Sequence, residues 1–358
     1  MLIKSLYDLA PKAPEKLVRL KLTRIRQHWA FIISLLFVVG LCLSLVLGSC
    51  TSQRSLYSTA KADNSPSTPT KIVRIGHQPH GTMLYLKVSG NLEKRLSPMG
   101  FSVDWIEFSA GRSILAAMGE GKIDMGSAGV VPPIFAQASG VPFVYIANEP
   151  AVPESIGILV RKDSPIRTLA DLKGRTITAT KASAGQYLLV QALIKGGLTL
   201  EDVKFFDLPP SEGRTAFEQG KVEAWVGWSP FLIELQESMP VRLLANAEGL
   251  MNDTNFHLAT HSFANNHGDI VKIVMEEARE VGIWAMNHPN EAAELLRAST
   301  GLKASTALRV TKSRQYEALP IQDRAIEEQQ RIAETFFRLG LLPKRIWVED
   351  AVWKQELS

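Results

Sequence analysis

IDMGSAGVVPPIF, residues 123–135, is the stretch that decides the fold. Its apolar start predicts a short buried strand, its small residues predict a turn, and its two prolines predict the opening of a helix. Such a junction directs backbone N–H groups and the positive end of a helix dipole at one point, where an anion can bind. A plain strand-to-helix turn without a ligand is the alternative, since glycine and serine are ordinary turn residues.

Short apolar runs alternate with helical patterns on both sides of this stretch. Strands are predicted at 72–76, 101–108 and 142–147, and a second series of strands and helices runs from about 156 to 227. Helical patterns then dominate, over 268–287, 290–299, 305–318 and 322–339. This alternation indicates an α/β protein of two lobes with largely parallel sheets, in which a ligand would bind at the carboxyl ends of the strands.

Composition and charge narrow the class of protein. The chain has 358 residues, enough for two domains with their own cores. Its net charge of +4 comes from residues 1–49, because the rest holds 33 basic and 34 acidic residues. A near-neutral body argues against nucleic-acid binding. Both cysteines, Cys42 and Cys50, lie near the N-terminus, so the body has no disulfide framework and no cysteine-based metal site.

Residues 1–49 predict export. A basic region is followed by an apolar run from Trp29 to Gly48, which is the pattern of a secretory signal. The sequence LGSC, residues 47–50, resembles a bacterial lipobox, which implies cleavage before Cys50 and lipid attachment to it. About 20 apolar residues also suffice for an uncleaved membrane anchor. Both alternatives predict an extracytoplasmic, periplasmic body that is tethered to the membrane, with residues 50–70 as a flexible Ser/Thr/Pro-rich tether.

A family resemblance rests on seven stretches that follow one another along the chain. They are RIGHQ (74–78), GEGKIDMG (119–126), PPIFAQA (132–138), KDSPI (162–166), LADLKG (169–174), AFEQGKVEAW (216–225) and WSPF (228–231). With them the chain resembles the substrate-binding proteins of ABC importers. The branch is the one that binds aliphatic sulfonates, taurine, nitrate and thiamine precursors, and the sulfonate-binding subgroup is the most similar.

The resemblance implies a two-lobed periplasmic-binding-protein fold (type II), with two crossover strands between the lobes and the C-terminal helices on lobe one. Residues 71–157 and 258–358 would form lobe one, and residues 158–257 lobe two. It further implies a monomer without a cofactor that delivers a small organic anion, first of all an aliphatic sulfonate, to permease subunits and their ATPase. A nitrate- or bicarbonate-like anion, a thiamine-precursor pyrimidine, or a sensor without a transport role are the alternatives.

The resemblance also implies a set of ligand-binding residues. Backbone N–H groups at helix starts would hold the anion, and Trp228 or Tyr187 would cover its apolar part. Arg112 begins a predicted helix and either pairs with the ligand or points to solvent. The resemblance gives Gln78, Thr82, Ser127, Ala128, Gly129, Ser183, Ala184, Tyr187, Trp228 and Ser229, and the helix-start position of Arg112 adds that residue as a candidate.

Two positions depart from the sulfonate-binding subgroup, which often has Asp where this chain has Val130 and Ser229. The loss of these two carboxylates alters either the ligand specificity or the contacts between the lobes, and the sequence does not decide between the two effects.

The histidines and serines of the chain suggest two other kinds of site, a metal site and a catalytic site. A zinc site could in principle be built from four histidines, but no carboxylate is obviously paired with them, and we expect no metal. These histidines are His77, His80, His257 and His261. Ser127, Ser183 and Ser229 have no His or Asp at the spacing of a catalytic motif, which predicts that the chain is not an enzyme.

Overall fold

The structure of the protein, a computed structural model, describes residues 71–354. The apolar run from Trp29 to Gly48, the lipobox with Cys50 and the tether up to residue 70 lie outside the described residues. Export and lipid attachment therefore stay predictions. Among the helices of residues 71–354, none combines the length and the apolar character that crossing a membrane requires.

Residues 71–354 contain eleven strands in two sheets. In chain order the strands are β1 (Lys71–His77), β2 (Phe101–Glu107), β3 (Met125–Gly129), β4 (Phe143–Asn148), β5 (Ile156–Arg161), β6 (Thr176–Ala179), β7 (Lys204–Asp207), β8 (Ala224–Trp228), β9 (Val241–Asn246), β10 (Asn255–Thr260) and β11 (Leu319–Pro320). The first sheet has the order β11-β4-β10-β3-β1-β2, and the second has the order β7-β6-β8-β5-β9.

Both sheets are mixed, so the prediction of largely parallel sheets is wrong. Strand β1 pairs in parallel with β2 and β3, and β6 pairs in parallel with β7 and β8. The remaining pairings are antiparallel, between β10 and both β3 and β4, between β5 and both β8 and β9, and between β11 and β4. Each sheet thus has a parallel part built from strand–helix–strand units. Among the strands next to the crossovers, β10 runs against this direction in the first sheet and β5 in the second, while β4 and β9 run with it.

Twelve α-helices accompany these strands in the described part of the chain. They are α1 (Thr82–Ser89), α2 (Asn91–Leu96), α3 (Gly111–Gly119), α4 (Val131–Ala138), α5 (Ala184–Lys195), α6 (Pro210–Glu218), α7 (Phe231–Ser238), α8 (His261–Asn266), α9 (Gly268–Asn287), α10 (Pro289–Thr300), α11 (Ala304–Lys312) and α12 (Asp323–Arg338). The predicted helix over 82–96 is interrupted at Gly90, which takes a left-handed conformation with φ of 62°. The helix predicted over 305–318 ends early, at Lys312.

The C-terminal helices pack on the first sheet. The fully buried Val73 and Ile75 of β1 share one apolar core with Ile270 and Val274 of α9 and with Leu92 of α2. This arrangement follows from amphipathic helices that must cover the apolar face of a sheet, where each fully buried aliphatic side chain contributes about 1.5–3 kcal/mol.

Two chain segments cross between the sheets, residues 149–155 from β4 to β5 and residues 247–254 from β9 to β10. They are joined by backbone hydrogen bonds, from the Val152 N–H to the Asp253 carbonyl (3.3 Å) and from the Ala247 N–H to the Pro153 carbonyl (3.1 Å). The structure is therefore a two-lobed α/β fold with a paired double crossover. Paired segments of this kind are suited to act as a hinge.

Candidate ligand-binding site

A cleft of about 600 Å³, which includes space open to solvent, lies where strands of both sheets end. It is lined by Gln78 directly after β1, by Gly129 at the end of β3, by Thr180 directly after β6 and by Trp228 at the end of β8. The carboxyl ends of strands are the usual position of a ligand in α/β folds.

Two helices begin at this cleft, one from each sheet. Helix α3 contributes Gly111 and Arg112, and helix α5 contributes Ala184 together with its N-cap residue Ser183. The Ser183 hydroxyl donates to the Thr180 carbonyl (2.5 Å) and accepts from the N–H of a residue in the first turn of α5. Because the first N–H groups of a helix have no partner within it, the two helix starts offer donors and positive dipole ends to an anion.

Three cationic side chains line the same cleft, Arg112, Lys181 and Arg314. Within residues 71–354 none of them makes an ion pair. The carboxylate that lines the cleft is Asp253, which accepts a hydrogen bond from the Ser155 hydroxyl. Burial raises the pKa of the Asp253 carboxyl, while the Ser155 hydrogen bond and the charge of Arg314 act in the opposite direction. The excess of positive charge favours an anionic ligand.

His80 lines the cleft as a neutral imidazole. It is 9% exposed, and burial together with the nearby Arg314 cation lowers the pKa of His80 to about 3. A histidine with this pKa carries no charge at neutral pH, so it adds hydrogen-bonding capacity without adding to the positive charge.

Six of the eleven predicted residues line the cleft, namely Gln78, Arg112, Gly129, Ser183, Ala184 and Trp228. The predicted turn at Ser127–Gly129 is wrong, because these residues belong to strand β3 and pair with β10. Ser127 lies opposite His257 in that pairing, and Ala128 is 1% exposed and lies against Gly111. The helix start that we expected to face the cleft at this junction is instead that of α3.

The helix after β3 also differs from the expected donor site. Helix α4 begins at Val131, and its next two residues, Pro132 and Pro133, have no N–H group. Val130 is 2% exposed, and its carbonyl accepts a hydrogen bond from the Gln329 side chain (2.5 Å). Val130 therefore contributes to the contact between α4 and α12, and it is not among the residues that line the cleft.

Thr82, Tyr187 and Ser229 are also buried outside the cleft lining. The Thr82 hydroxyl donates to Glu149 (2.5 Å), and the Ser229 N–H donates to the Ser155 carbonyl (2.8 Å). Thr82 and Ser229 thus hydrogen-bond to Glu149 and Ser155 of the first crossover and do not line the cleft.

Tyr187 makes an aromatic contact between elements of different lobes. It is 4% exposed, and its ring packs against Phe336 of α12 with the ring centroids 5.6 Å apart. Tyr187, which is with Trp228 one of the two rings predicted to cover the ligand, therefore packs between α5 and α12.

The four histidines are not brought together. His77 contacts Lys87 (3.1 Å), and His257 lies 3.2 Å from Glu149, while His261 lies at the start of α8. Among residues 71–354 no three His, Cys, Asp or Glu side chains are arranged to hold a metal ion.

Several lining residues were missed, above all Arg314, Asp253 and Asn255. The sequence predicts Arg314 inside a helix over 305–318, but α11 ends at Lys312 and the segment that follows brings Arg314 to the cleft. A helix stop after Lys312 has no glycine or proline as a signal. Asp253 and Asn255 lie at the end of the second crossover, whose position depends on the packing of the two lobes.

The fold and the cleft define a class of protein, the two-lobed α/β binding proteins that enclose a small ligand between their lobes. The model of the NMT1/THI5 like family matches residues 97–292, and the chain belongs to this family. A curated relative from Escherichia coli (strain K12), described as an aliphatic sulfonates-binding protein, is 33% identical over 294 residues, which are 82% of this chain and 91% of that relative.

Two solved structures extend the comparison. The periplasmic aliphatic sulphonate binding protein SsuA from Escherichia coli is similar with a TM-score of 0.75 and 33% identity, over 80% of this chain and 93% of that chain. The alkanesulfonate-binding protein SsuA from Xanthomonas axonopodis pv. citri, bound to MOPS, is similar with a TM-score of 0.76 and 34% identity, over 80% of this chain and all of that chain. The predicted family resemblance and the predicted two-lobed fold are confirmed. These relatives are binding proteins, in agreement with the expectation that the chain is not an enzyme.

Proposed function

We propose that this protein is the extracytoplasmic solute-binding component of an ABC importer and that it binds a small sulfonate-bearing organic anion. The observation that carries the proposal is the convergence of two helix starts from different lobes with three cations that have no ion-pair partner within residues 71–354. The relatives named for sulfonate binding support the choice of anion.

The sulfonate would lie between the starts of α3 and α5. Its three oxygens can accept hydrogen bonds from backbone N–H groups of the two first turns, and Arg112 and Lys181 supply the opposite charge. The apolar part of the ligand would contact Trp228, which is partly buried and lies over the start of α5, 3.7 Å from where a Cβ of Gly185 would stand. Preformed donors of this kind bind an anion without having to reorganise.

The positive charge of the cleft favours an anion over a thiamine-precursor pyrimidine. Three cations face one carboxylate, Asp253, and a neutral histidine. Arg112 and Lys181 are exposed and Arg314 is half-buried, so a ligand without negative charge would forgo the attraction of these cations.

The location and the partners follow from the same proposal. The protein acts in the periplasm as a monomer, tethered to the membrane by lipidated Cys50 or by an uncleaved anchor, and it delivers its ligand to permease subunits with their ATPase. Residues 71–157 with 258–358 move as lobe one and residues 158–257 as lobe two, about the paired crossovers.

Binding is tested by a thermal-shift screen, followed by calorimetry, over ethanesulfonate, taurine, nitrate, bicarbonate and a pyrimidine. A sulfonate present at 100 times its Kd stabilises the protein by about 2.7 kcal/mol. Arg112→Gln weakens sulfonate binding by about tenfold or more, since a hydrogen bond to a charged group contributes roughly 1.5–3 kcal/mol. The matched control is Arg297→Gln, which removes an exposed arginine of α10 that pairs with Glu294.

Two results would contradict the proposal. A response to nitrate or the pyrimidine with silence from every sulfonate would remove the specificity, and equal losses in the two arginine variants would remove the assignment of Arg112 to the site. Transport is separated from sensing by growth of a deletion strain on ethanesulfonate as the sulfur source, with and without the restored gene.

A further inference from the structure

The second crossover ends in two hydrogen-bond acceptors that line the cleft, Asp253 and Asn255. Both lie next to the paired crossovers, whereas Arg112 and Lys181 belong to the starts of α3 and α5. The cleft therefore has one end formed by the two helix starts with Arg112 and Lys181, and another where Asp253 and Asn255 present acceptors close to Arg314. An unsubstituted alkanesulfonate uses only the first of these regions.

The orientation of the Asn255 amide is determined by its neighbour Glu149. The Asn255 Nδ2 donates to Glu149 Oε2 (3.0 Å), and Glu149 Oε1 accepts from the Thr82 hydroxyl and lies 3.2 Å from His257 Nε2. Although burial opposes ionisation, the nearby His257, the charge of Arg314 and the Thr82 hydrogen bond together lower the pKa of Glu149 to about 2. An ionised carboxylate only accepts hydrogen bonds, so the NH₂ group of Asn255 must face it.

This orientation leaves the Asn255 Oδ1 for the cleft. Oδ1 has no hydrogen-bond partner within residues 71–354, yet it is not among their buried atoms that lack a partner, so it is accessible. It lies 3.8 Å from where a Cβ of Gly129 would stand, and Gly129 also lines the cleft. The atom presented to a ligand is therefore an acceptor.

Asp253 presents a second acceptor beside it. One carboxylate oxygen accepts from Ser155, and the other has no hydrogen-bond partner in the described part of the chain. Arg314 is close enough to lower the pKa of Asp253, but the two residues form no ion pair there. The free oxygen of Asp253 remains available to a donor.

We propose that the ligand is a sulfonate that carries an O–H or N–H donor away from its sulfonate group, and that this donor binds the Asn255 Oδ1 and Asp253. Glu149 is the positioning residue that keeps the Asn255 oxygen turned to the cleft. The inference rests on the proposed function, because it names the substrate class of the same site.

The test compares four ligands of similar size with the wild-type protein by calorimetry: ethanesulfonate, isethionate (its hydroxyl analogue), taurine (its amino analogue) and sulfoacetate (its carboxylate analogue). Isethionate or taurine binds about tenfold more tightly than ethanesulfonate, the factor expected for one added hydrogen bond in a desolvated site. Equal affinities for the first three ligands would overturn the inference. Tightest binding of sulfoacetate would also overturn it, because it would assign this end of the cleft to Arg314. Absence of binding by all four would instead remove the proposed function.

Glu149→Gln separates positioning from stability. A glutamine at 149 both donates and accepts, so the Asn255 amide is no longer held in one orientation, and the isethionate-to-ethanesulfonate affinity ratio falls severalfold toward one. A purely structural role would weaken both ligands equally and leave the ratio unchanged. The matched control is Glu277→Gln, a carboxylate that is 8% exposed in α9 and pairs with Arg95, for which the ratio stays at the wild-type value. An unchanged ratio in Glu149→Gln would refute the positioning role.

Discussion

Gly111→Ala probes how closely helix α3 must approach strand β3 in order to begin at the cleft. A Cβ at Gly111 would lie 2.8 Å from the Ala128 Cβ and 3.1 Å from the Pro132 Cγ. Carbon atoms prefer separations of about 3.5–4.0 Å, so the start of α3 would have to move by roughly 0.7 Å or more. The helix start that offers N–H groups to the ligand would move with it.

The expected cost follows from two opposing effects. Overpacking of this kind costs about 1–3 kcal/mol, and replacing glycine by alanine in a helix returns at most about 1 kcal/mol. We therefore expect the free energy of unfolding of Gly111→Ala to fall by about 1–2 kcal/mol, and sulfonate affinity to fall as well. Urea unfolding followed by circular dichroism measures the first, and calorimetry with ethanesulfonate measures the second.

Gly185→Ala is the matched control, because Gly185 lies in the first turn of α5 at the other helix start. A Cβ there would meet only ordinary contacts, at 3.4 Å from the Ser183 Oγ and 3.7 Å from Trp228. Because alanine has a higher helix propensity than glycine, Gly185→Ala should raise the free energy of unfolding by up to about 1 kcal/mol. Equal or greater stability of Gly111→Ala would refute the reasoning. In a double-mutant cycle, Ala128→Gly should cost less in the Gly111→Ala background than in the wild type, because it removes the closest contact.

Two further outcomes concern His80 and Tyr187. The pKa of His80 is about 3 in the folded protein against 6.5 ordinarily, so the unfolded chain takes up the proton first and the free energy of unfolding falls as the pH drops below 6.5. His80→Gln should lose about 2 kcal/mol less than the wild type between pH 6.5 and pH 4.5 in urea titrations, and parallel curves would contradict this. Tyr187→Phe keeps the ring against Phe336 and should change the Kd of ethanesulfonate by no more than about twofold. A tenfold loss would return Tyr187 to the ligand site.

The lobes were predictable because the period of the apolar residues changes repeatedly between that of strands and that of helices. The direction of the strands could not be predicted. The antiparallel pairing of β10 with β4 and of β5 with β9 depends on the path of the crossovers, and local sequence does not determine that path.

The mistaken turn at Ser127–Gly129 has a tertiary cause. Small residues are typical of turns, but here Ala128 is small because Gly111 of α3 lies directly on it, and Gly129 is the last residue of a paired strand. Small residues, which are typical of turns, here allow a helix to pack closely on a sheet. A single strand cannot reveal which neighbour it will receive.

The two helix starts of the candidate site could be anticipated, whereas its far end could not. Ser183 and Ala184 precede a helical pattern, and a serine in that position is a common N-cap. Asp253 lies in the irregular second crossover and Asn255 is the first residue of β10, and the orientation of Asn255 depends on Glu149, which is 106 positions away in the chain. Contacts of this range arise only when both crossovers are in place.

The ring contact between Tyr187 and Phe336 has a consequence for affinity that involves no ligand atom. If the lobes rotate about the paired crossovers as we propose, opening of the cleft would separate these rings and expose them to water, and the contact would favour the closed form even when the cleft is empty. Apparent affinity equals intrinsic affinity multiplied by the fraction of molecules already competent to bind. Substitution of Tyr187 or Phe336 by a smaller residue could therefore lower the apparent affinity for the solute, while the residues that contact the ligand stay the same.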